Sequence, residues 1–350
     1  MKILGIETSC DETAAAVVED GRKILSNVVV SQIDIFAEYG GVIPEVAARS
    51  HLEVMMPVVE KALLEARASW DEIDAIAVTH APGLLGSLLI GTLTARTLAI
   101  LHDKPLYAVH HLKSHVYANW LELKHFPAFP LLALVVSGGH TQILYMPEHD
   151  KFEIVGTTND DAVGECFDKV AKILGLPYPG GPAIAEAAES GDVEKYKLPH
   201  PKVADLDFSF SGLKTAVLRA VQKELGLPIS HPSYDLKNFL SAKQVADFAA
   251  SFQKTAIEIL TKKIKAGVSE FPEVRSVVVA GGVSANDELR KIFSGLAEAG
   301  KIPAVFFPEA KLSGDNGAMV AAAAYYEILA GVQPMDPYKL NIYPRVSVEE

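Results

Sequence analysis

The feature that most restricts how this chain can fold is a plan that occurs twice. Residues 2–6 form a short run rich in Ile and Leu, a polar turn occupies 7–13, and 14–18 resume an apolar run. Far down the chain, the apolar stretch Leu131–Val136 leads into Ser137-Gly138-Gly139 and then into a second apolar stretch over 141–145. A short apolar run bounded by a small polar turn fits a buried strand. Each occurrence is therefore expected to be a hairpin, and a hairpin opening each half predicts two related lobes.

Strand and helix signals alternate after each hairpin. Leu52, Met55, Met56, Val59, Leu63 and Ala66 recur at helical spacing, with Pro57 expected to kink that helix or mark its first turn. Strands are expected over 73–79 and 106–109, with helices over 84–101 and 111–121. In the second half helices are expected over 162–174, 211–221, 241–268 and 315–329, and strands over 274–280 and 305–307. The Gly- and Pro-rich stretch 175–182 is expected to be irregular. This alternation predicts an α/β fold of mixed or parallel sheets covered by helices. Residues 124–130, with Pro127 and Pro130, are the best linker. The expected division is an N-terminal lobe over 1–128, a C-terminal lobe over 129–314, a helix over 315–330 packing across both, and a polar surface tail over 331–350.

Charge bounds the partners. The 350 residues carry a net charge of −12, from 32 basic and 44 acidic side chains. A protein that grips nucleic acid unaided is normally basic, so contact with one needs a local patch or a partner protein. Two distant cysteines, Cys10 and Cys166, suit a reducing compartment. The apolar segment 84–101 contains Ser87, Thr92, Thr94 and Arg96 and is expected to be a buried helix, not a membrane span. With no apolar stretch of signal-peptide length before Glu7, a cytoplasmic location is expected.

Several clusters have residue types that carry chemistry. His111 and His115 are four apart, so on a helix they share one side and can share one metal ion. The segment HLKSH lacks the glutamate that follows the first histidine in zinc proteases, which disfavours that chemistry. A third ligand would have to be a carboxylate elsewhere, and His110, pointing elsewhere on the helix, is expected to be structural or to support the site from outside. The acidic, hydroxyl-rich turn Glu7-Thr8-Ser9-Cys10-Asp11-Glu12-Thr13 can hold a metal or a water beside phosphate, or be a solvated hairpin tip. Ser137-Gly138-Gly139 can present N–H groups to phosphate, although tight hairpins use the same pair. Gly281-Gly282-Val283-Ser284-Ala285-Asn286 lies between a strand and a helix, where open α/β folds bind nucleotides. It is neither a P-loop nor a G-x-G-x-x-G turn, which disfavours kinases and dehydrogenases of those classes. Asp160 and Asp161 are accounted for by a helix dipole; Asp168, past the first turn, is not. Asp315 has the position of a helix N-cap, and as a metal ligand it needs tertiary context.

Taken together and in order, GIETSCDETAAAV, GGVIPEVAARSH, PGLLGSLLIG, HHLKSH, VVSGGHTQIL, DDAVGECFDKVAKILGLPYPGGP, FSFSGLKTAV, VAGGVSAN and GDNGAMVA resemble the universal tRNA threonylcarbamoyladenosine transferase family, in its bacterial form with the YPGGP loop. The resemblance implies two similar lobes of the actin/sugar-kinase/Hsp70-like fold around a central cleft. It implies transfer of a threonylcarbamoyl group from threonylcarbamoyl-AMP to the amino group of the adenosine 3′ of the anticodon, in tRNAs reading codons that begin with A. It implies one divalent metal ion, Fe2+ before Zn2+ or Mg2+, held by His111, His115 and Asp315. It implies that the adenylate is bound by Val135, Val136, Ser137, Gly138, Gly139, Asp168, Gly181 and Asn286. Glu12 and Asp11, which fall at the family's cleft, are the candidates for a general base. The partners implied are a smaller non-catalytic paralogue and an ATPase subunit, with tRNA bound over a composite surface and no membrane. Two departures stand out: Ala185 replaces an aspartate that often contacts the ribose, and Gly314 replaces a threonine before Asp315. The rival readings are an ATP-dependent kinase or ATPase of the same fold and a non-catalytic nucleotide-binding scaffold.

Overall fold

The computed structural model describes residues 1–349 and divides into two compact units. The first comprises 1–131, 146–153 and the chain from 306 onward; the second comprises 132–145 and 154–305.

The first unit is built on a five-stranded sheet of β1 (Lys2–Glu7), β2 (Glu12–Glu19), β3 (Lys23–Ser31), β4 (Ala75–Ala81) and β5 (Leu106–His110), in the order β3-β2-β1-β4-β5. β1 and β2 form the expected hairpin, and β1, β4 and β5 run parallel to one another. β3 has no counterpart in the sequence expectations. It is an edge strand with most residues at least partly exposed, so its apolar positions do not form the continuous run that marks a buried strand.

Side chains alternate across a strand, and β1 shows the consequence. Leu4 and Ile6 join Met55, Val59, Ala95 and Leu98 in a core beneath the helices Pro44–Ala66 and Leu85–Leu101. Gly5, between them, faces the helix Gly317–Leu329, which packs on β1, β2 and β4. Pro57 lies inside the helix Pro44–Ala66, which opens at Pro44. The helix expected over 111–121 ends earlier, at Tyr117, and passes into a tighter turn over Ala118–Trp120. After Gly331 the chain is held in place: Met335 N–H donates to Leu106 O, Tyr343 N–H to His80 O, and Gly83 N–H to Pro344 O.

The second unit repeats the sheet order. Its strands β6 (Leu131–Val136), β7 (Thr141–Met146), β8 (Glu153–Thr157), β9 (Ser276–Ala280) and β10 (Ala304–Phe306) lie as β10-β9-β6-β7-β8. In both sheets the opening strand is central, the next two lie to one side and the last two to the other. The helix Val163–Leu174 buries Val163, Cys166, Phe167, Val170, Ala171 and Leu174, the spacing of one helical face, and stops at Gly175 with φ 75°. The stretch 175–182 is not irregular throughout, because the helix Gly180–Ala188 starts inside it. Pro182 is tolerated there because the first turn of a helix needs no N–H from it. The helices Ser211–Glu224, Ala242–Glu270 and Asp287–Glu298 complete the unit. No helix among the described residues is long and apolar enough to cross a membrane.

Candidate active site

β5 ends at His110 and turns directly into the helix His111–Tyr117, which places His111 and His115 one turn apart, both buried. Their rings meet edge to face, with centroids 4.6 Å apart. Asp315, two hundred residues later, comes to the same point. Its Oδ1 lies 3.1 Å from His115 Nε2 and 3.6 Å from His111 Nε2. One ligand atom from each of the three residues fits within a 4.8 Å span.

Asp315 is not the cap of the helix that follows. Asn316 takes that role, its Oδ1 accepting from Met319 N–H at 3.0 Å. The Asp315 carboxylate stands instead beside the two histidines. Its position depends on how closely the helix sits on the sheet: a Cβ on Gly5 would lie 2.2 Å from Gly317 O, and one on Gly317 would lie 2.6 Å from Ala16 N.

Behind His111 stands Glu7, fully buried at the end of β1. Glu7 Oε2 is 3.1 Å from His111 Nδ1 and accepts from Thr79 Oγ1, while Oε1 accepts from Ser9 N–H. Ser9 Oγ also lies 3.2 Å from His111 Nδ1. A carboxylate at Nδ1 holds a proton there and orients the ring so that Nε2 faces Asp315. Burial pulls the His111 imidazole down, but Asp315 and Glu7 more than offset it and push its pKa up to about 9. The sequence places Glu7 only in the acidic turn 7–13 and does not connect it with His111. Its signal is only an acid at the end of an apolar strand, and its partner is 104 residues away.

These residues fit a cation. Two imidazoles and a carboxylate are a usual donor set for an open site. Neither ring nitrogen of buried His115 makes a hydrogen bond, although Nε2 is close to Asp315. A buried polar atom in that state is costly in an apolar surrounding. Three neighbours lie outside the donor set. Burial, then Asp11 and Asp315, pushes the Cys10 thiol up, and Cys10 is not grouped with the three residues that converge. His110 accepts from Leu112 N–H through Nδ1 and approaches Val346 O through Nε2; burial pulls it down to about 3, and it acts as a structural cap. His51 is tied to Thr13 Oγ1 at 2.7 Å and Cys10 O at 2.9 Å, which pins the turn that carries Asp11 and Glu12. Burial, then Asp315 and Asp11, holds the Glu12 carboxyl well above the usual range, and Ser31 Oγ donates to it.

The residues expected to bind the adenylate lie in the second unit, linked by a chain of close contacts. Val135 and Val136 end β6, fully buried, and Ser137-Gly138-Gly139 turn the chain toward β7. Ser137 N–H is used by the turn itself, donating to His140 O, whereas the amides of Gly138 and Gly139 have no partner among the described residues. Both glycines face open space. Gly164, in the first turn of the helix Val163–Leu174, donates to Ser137 O, and a Cβ there would lie 2.5 Å from that oxygen. One turn on, Asp168 Oδ1 accepts from Gly180 N–H at 2.7 Å, beside Gly181, which also faces open space. Gly281 packs on Val136 O, and Asn286 caps the next helix through Leu289 N–H while its Nδ2 donates to Gln253 Oε1. Ala185 is half-buried and Glu186 exposed on the helix Gly180–Ala188. The other acids have structural partners. Asp160 accepts from Phe210 N–H and Ser211 N–H and so opens the helix Ser211–Glu224, and Asp161 pairs with Lys169 and Lys214.

The family described as tRNA N6-adenosine threonylcarbamoyltransferase matches residues 23–322. Relatives of that name are 50% identical in Symbiobacterium thermophilum, over 95% of this chain and 93% of theirs, and 47% identical in Dehalococcoides mccartyi, over 99% of each. Among solved structures, the chain is similar to HypF of T. kodakarensis with TM-score 0.62 and 16% identity, over 94% of this chain and 48% of that one. It is also similar to the ADPNP-bound activator of 2-hydroxyisocaproyl-CoA dehydratase from Clostridium difficile, with TM-score 0.51 and 13% identity, over 96% of this chain and all of the other. At such identities the structural likeness concerns the fold alone, which is of the actin/sugar-kinase/Hsp70-like type.

Proposed function

This chain belongs to the tRNA N6-adenosine threonylcarbamoyltransferase family, and from that premise we propose that it moves a threonylcarbamoyl group from threonylcarbamoyl-AMP to the N6 amino group of the adenosine 3′ of the anticodon. The observation that carries the reading at residue level is the convergence of His111, His115 and Asp315 on one point.

In this reaction a C–N bond forms between adenine N6 and the carbamoyl carbon. The bond from that carbon to the AMP oxygen breaks, AMP leaves, and N6 loses a proton. The exocyclic amine is a weak nucleophile because its lone pair is delocalised into the ring, so the donor must be held and polarised. A divalent ion, Fe2+ by family resemblance, would be held by His111, His115 and Asp315 and would supply Lewis-acid stabilisation of developing negative charge worth several kcal/mol. Glu7 holds His111 with its proton on Nδ1 and its Nε2 toward that point. The amides of Gly138 and Gly139 are suited to donate to a phosphate of the adenylate. Asp168 fixes the backbone at Gly180, and the open face of Gly181 leaves room for the nucleoside. Glu12 or Asp11 accepts the N6 proton, a role worth about 10²–10⁴-fold in rate.

The net charge of −12 argues that tRNA is shared with partner subunits. A stripe of Leu85, Leu89 and Leu93, exposed by 43–58%, lies on the helix Leu85–Leu101, with Leu52 and Met56 exposed on the neighbouring helix Pro44–Ala66. A smaller paralogue of the same fold would offer a matching pair of helices to cover it. The test is reconstitution: purified chain, partner subunits, threonylcarbamoyl-AMP and unmodified tRNA, followed by nucleoside analysis. Modified adenosine is expected with the native chain. Its formation at an undiminished rate by His115→Ala or Asp315→Ala would defeat the reading.

A further inference from the structure

In the second unit, the loop 197–205 lies along the helix Ala242–Glu270 and encloses a groove of about 520 Å³. Its lining is unusual for this acidic chain. Lys202 enters from the loop, Lys262 and Lys263 from the helix, and Pro201, Val203 and Ile259 supply an apolar wall. Lys263 Nζ donates to three successive carbonyls, of Val203, Ala204 and Asp205, so it fixes the loop, with the Asp205 and Asp207 carboxylates near enough to favour its charge. His200, at the rim, is paired with Glu258, and Asp205 is the carboxylate in the lining.

The grouping of the lysines sets this groove apart: Lys202, Lys262 and Lys263 stand in one lining. Elsewhere in the unit Lys169, Lys214, Lys243, Lys254 and Lys291 each lie within ion-pair distance of a carboxylate, while Lys172, Lys195, Lys223, Lys237 and Lys301 have no such partner among the described residues but are scattered along the chain. Lys202 and Lys262 are exposed and have no such partner among the described residues. Lys197 and Lys265 are likewise exposed and without a carboxylate partner among those residues. Unneutralised cations along an apolar wall suit a chain of phosphodiesters joined by sugars better than a compact anion. Separate cations can each meet a phosphate, and an apolar wall can pack against ribose. Whatever phosphate contacts a chain of net charge −12 makes by itself, beside those of its partner subunits, must come from a local patch of this kind.

We propose that the groove between loop 197–205 and the helix Ala242–Glu270 is a docking surface for the RNA sugar-phosphate backbone, with Lys202 and Lys262 contacting phosphates and Lys263 holding the loop that forms it. The proposal rests on tRNA being the substrate of this chain.

The test measures binding of unmodified tRNA to the full chain with its partners by fluorescence anisotropy across a salt series. The variants are Lys202→Glu/Lys262→Glu, the neutral pair Lys202→Gln/Lys262→Gln, and a control pair, Lys291→Glu/Lys301→Glu, with circular dichroism to check folding. Charge reversal in the groove is expected to weaken tRNA binding roughly tenfold and to make the slope of log K against log salt shallower by about one to two, with the neutral pair intermediate. In transfer assays KM for tRNA rises while KM for threonylcarbamoyl-AMP holds. An unchanged salt slope overturns the proposal. So does an equal loss in the control pair, a loss of partner association in place of tRNA affinity, or weaker ATP binding with tRNA binding intact. If no variant and no native sample transfers the group, the functional reading fails while the binding arm still decides the groove.

Discussion

Gly317 lies so close to Gly5 that its carbonyl oxygen would be 2.2 Å from a Cβ placed on Gly5. That contact seats the helix Gly317–Leu329 on β1, and Asp315 is carried in two residues ahead of it. Gly317→Ala is therefore expected to destabilise the protein by about 1–3 kcal/mol, as overpacking does, and also to lower metal occupancy. Thermal melting and metal analysis of the purified variant check both. A variant that melts lower but keeps full metal content would separate the packing from the site.

Glu7→Gln keeps the side chain's size but replaces the charged partner at His111 Nδ1. Loss of such a supporting carboxylate typically costs about 10–100-fold in metal affinity. Competition titration with a chromogenic chelator should show a drop of that order, with the fold retained. Unaltered affinity would mean that Glu7 does not tune His111.

Two glycine changes at the Ser137 turn should behave oppositely. A Cβ on Gly164 would lie 2.5 Å from Ser137 O, so Gly164→Ala must displace the turn or the helix and should lower stability. Gly138 faces open space and does not need positive φ, so Gly138→Val should melt like the native chain. It should nonetheless raise KM for threonylcarbamoyl-AMP by roughly ten- to hundredfold, because misplacement of a reacting group by about 1 Å has effects of that size. Native-like kinetics in Gly138→Val would remove the turn from the adenylate site.

Glu327 is buried beside the Lys113–Asp150 ion pair. Burial raises its carboxyl to about 8; Lys113 opposes the shift and Asp150 adds to it. In the unfolded chain the same group titrates near about 4.3. Between these values the folded state keeps a proton that the unfolded state has lost, so stability falls as pH rises, by up to about 1.4 kcal/mol per unit from this group. Glu327→Gln removes that slope. Its melting temperature relative to the native chain should rise from pH 5 to pH 8, and a difference independent of pH would show that Glu327 is not held protonated.

Partner association offers a test away from the chemistry. Leu89→Asp places a charge in the exposed leucine stripe without touching the core. It should leave the melting temperature of the isolated chain unchanged and abolish co-elution with the smaller paralogue on size exclusion. Co-elution at native strength would assign the stripe another role.

Much of this protein was legible before its structure. Period and composition were enough for the two hairpins, for the helix ending at Gly175 and for the placement of His111 and His115 on one helical side, because each is a property of neighbours in sequence. The signals that failed were local ones overridden by context. β3 is too exposed to read as a strand, and helix Gly180–Ala188 begins with glycines and a proline that usually end structure.

Sequence alone determined the repeated strand plan, the helical spacing of the two histidines and, through nine ordered segments, the family. Tertiary structure decided that Asp315 is not the cap and that its carboxylate stands beside the two histidines, by giving the cap to Asn316 and pressing Gly317 onto Gly5. It also chose Glu7 as the partner of His111. The physical reason is range. Propensity and periodicity act over a few residues, whereas the burial that brings residues 7, 111, 115 and 315 to one point is set only when helix and sheet pack.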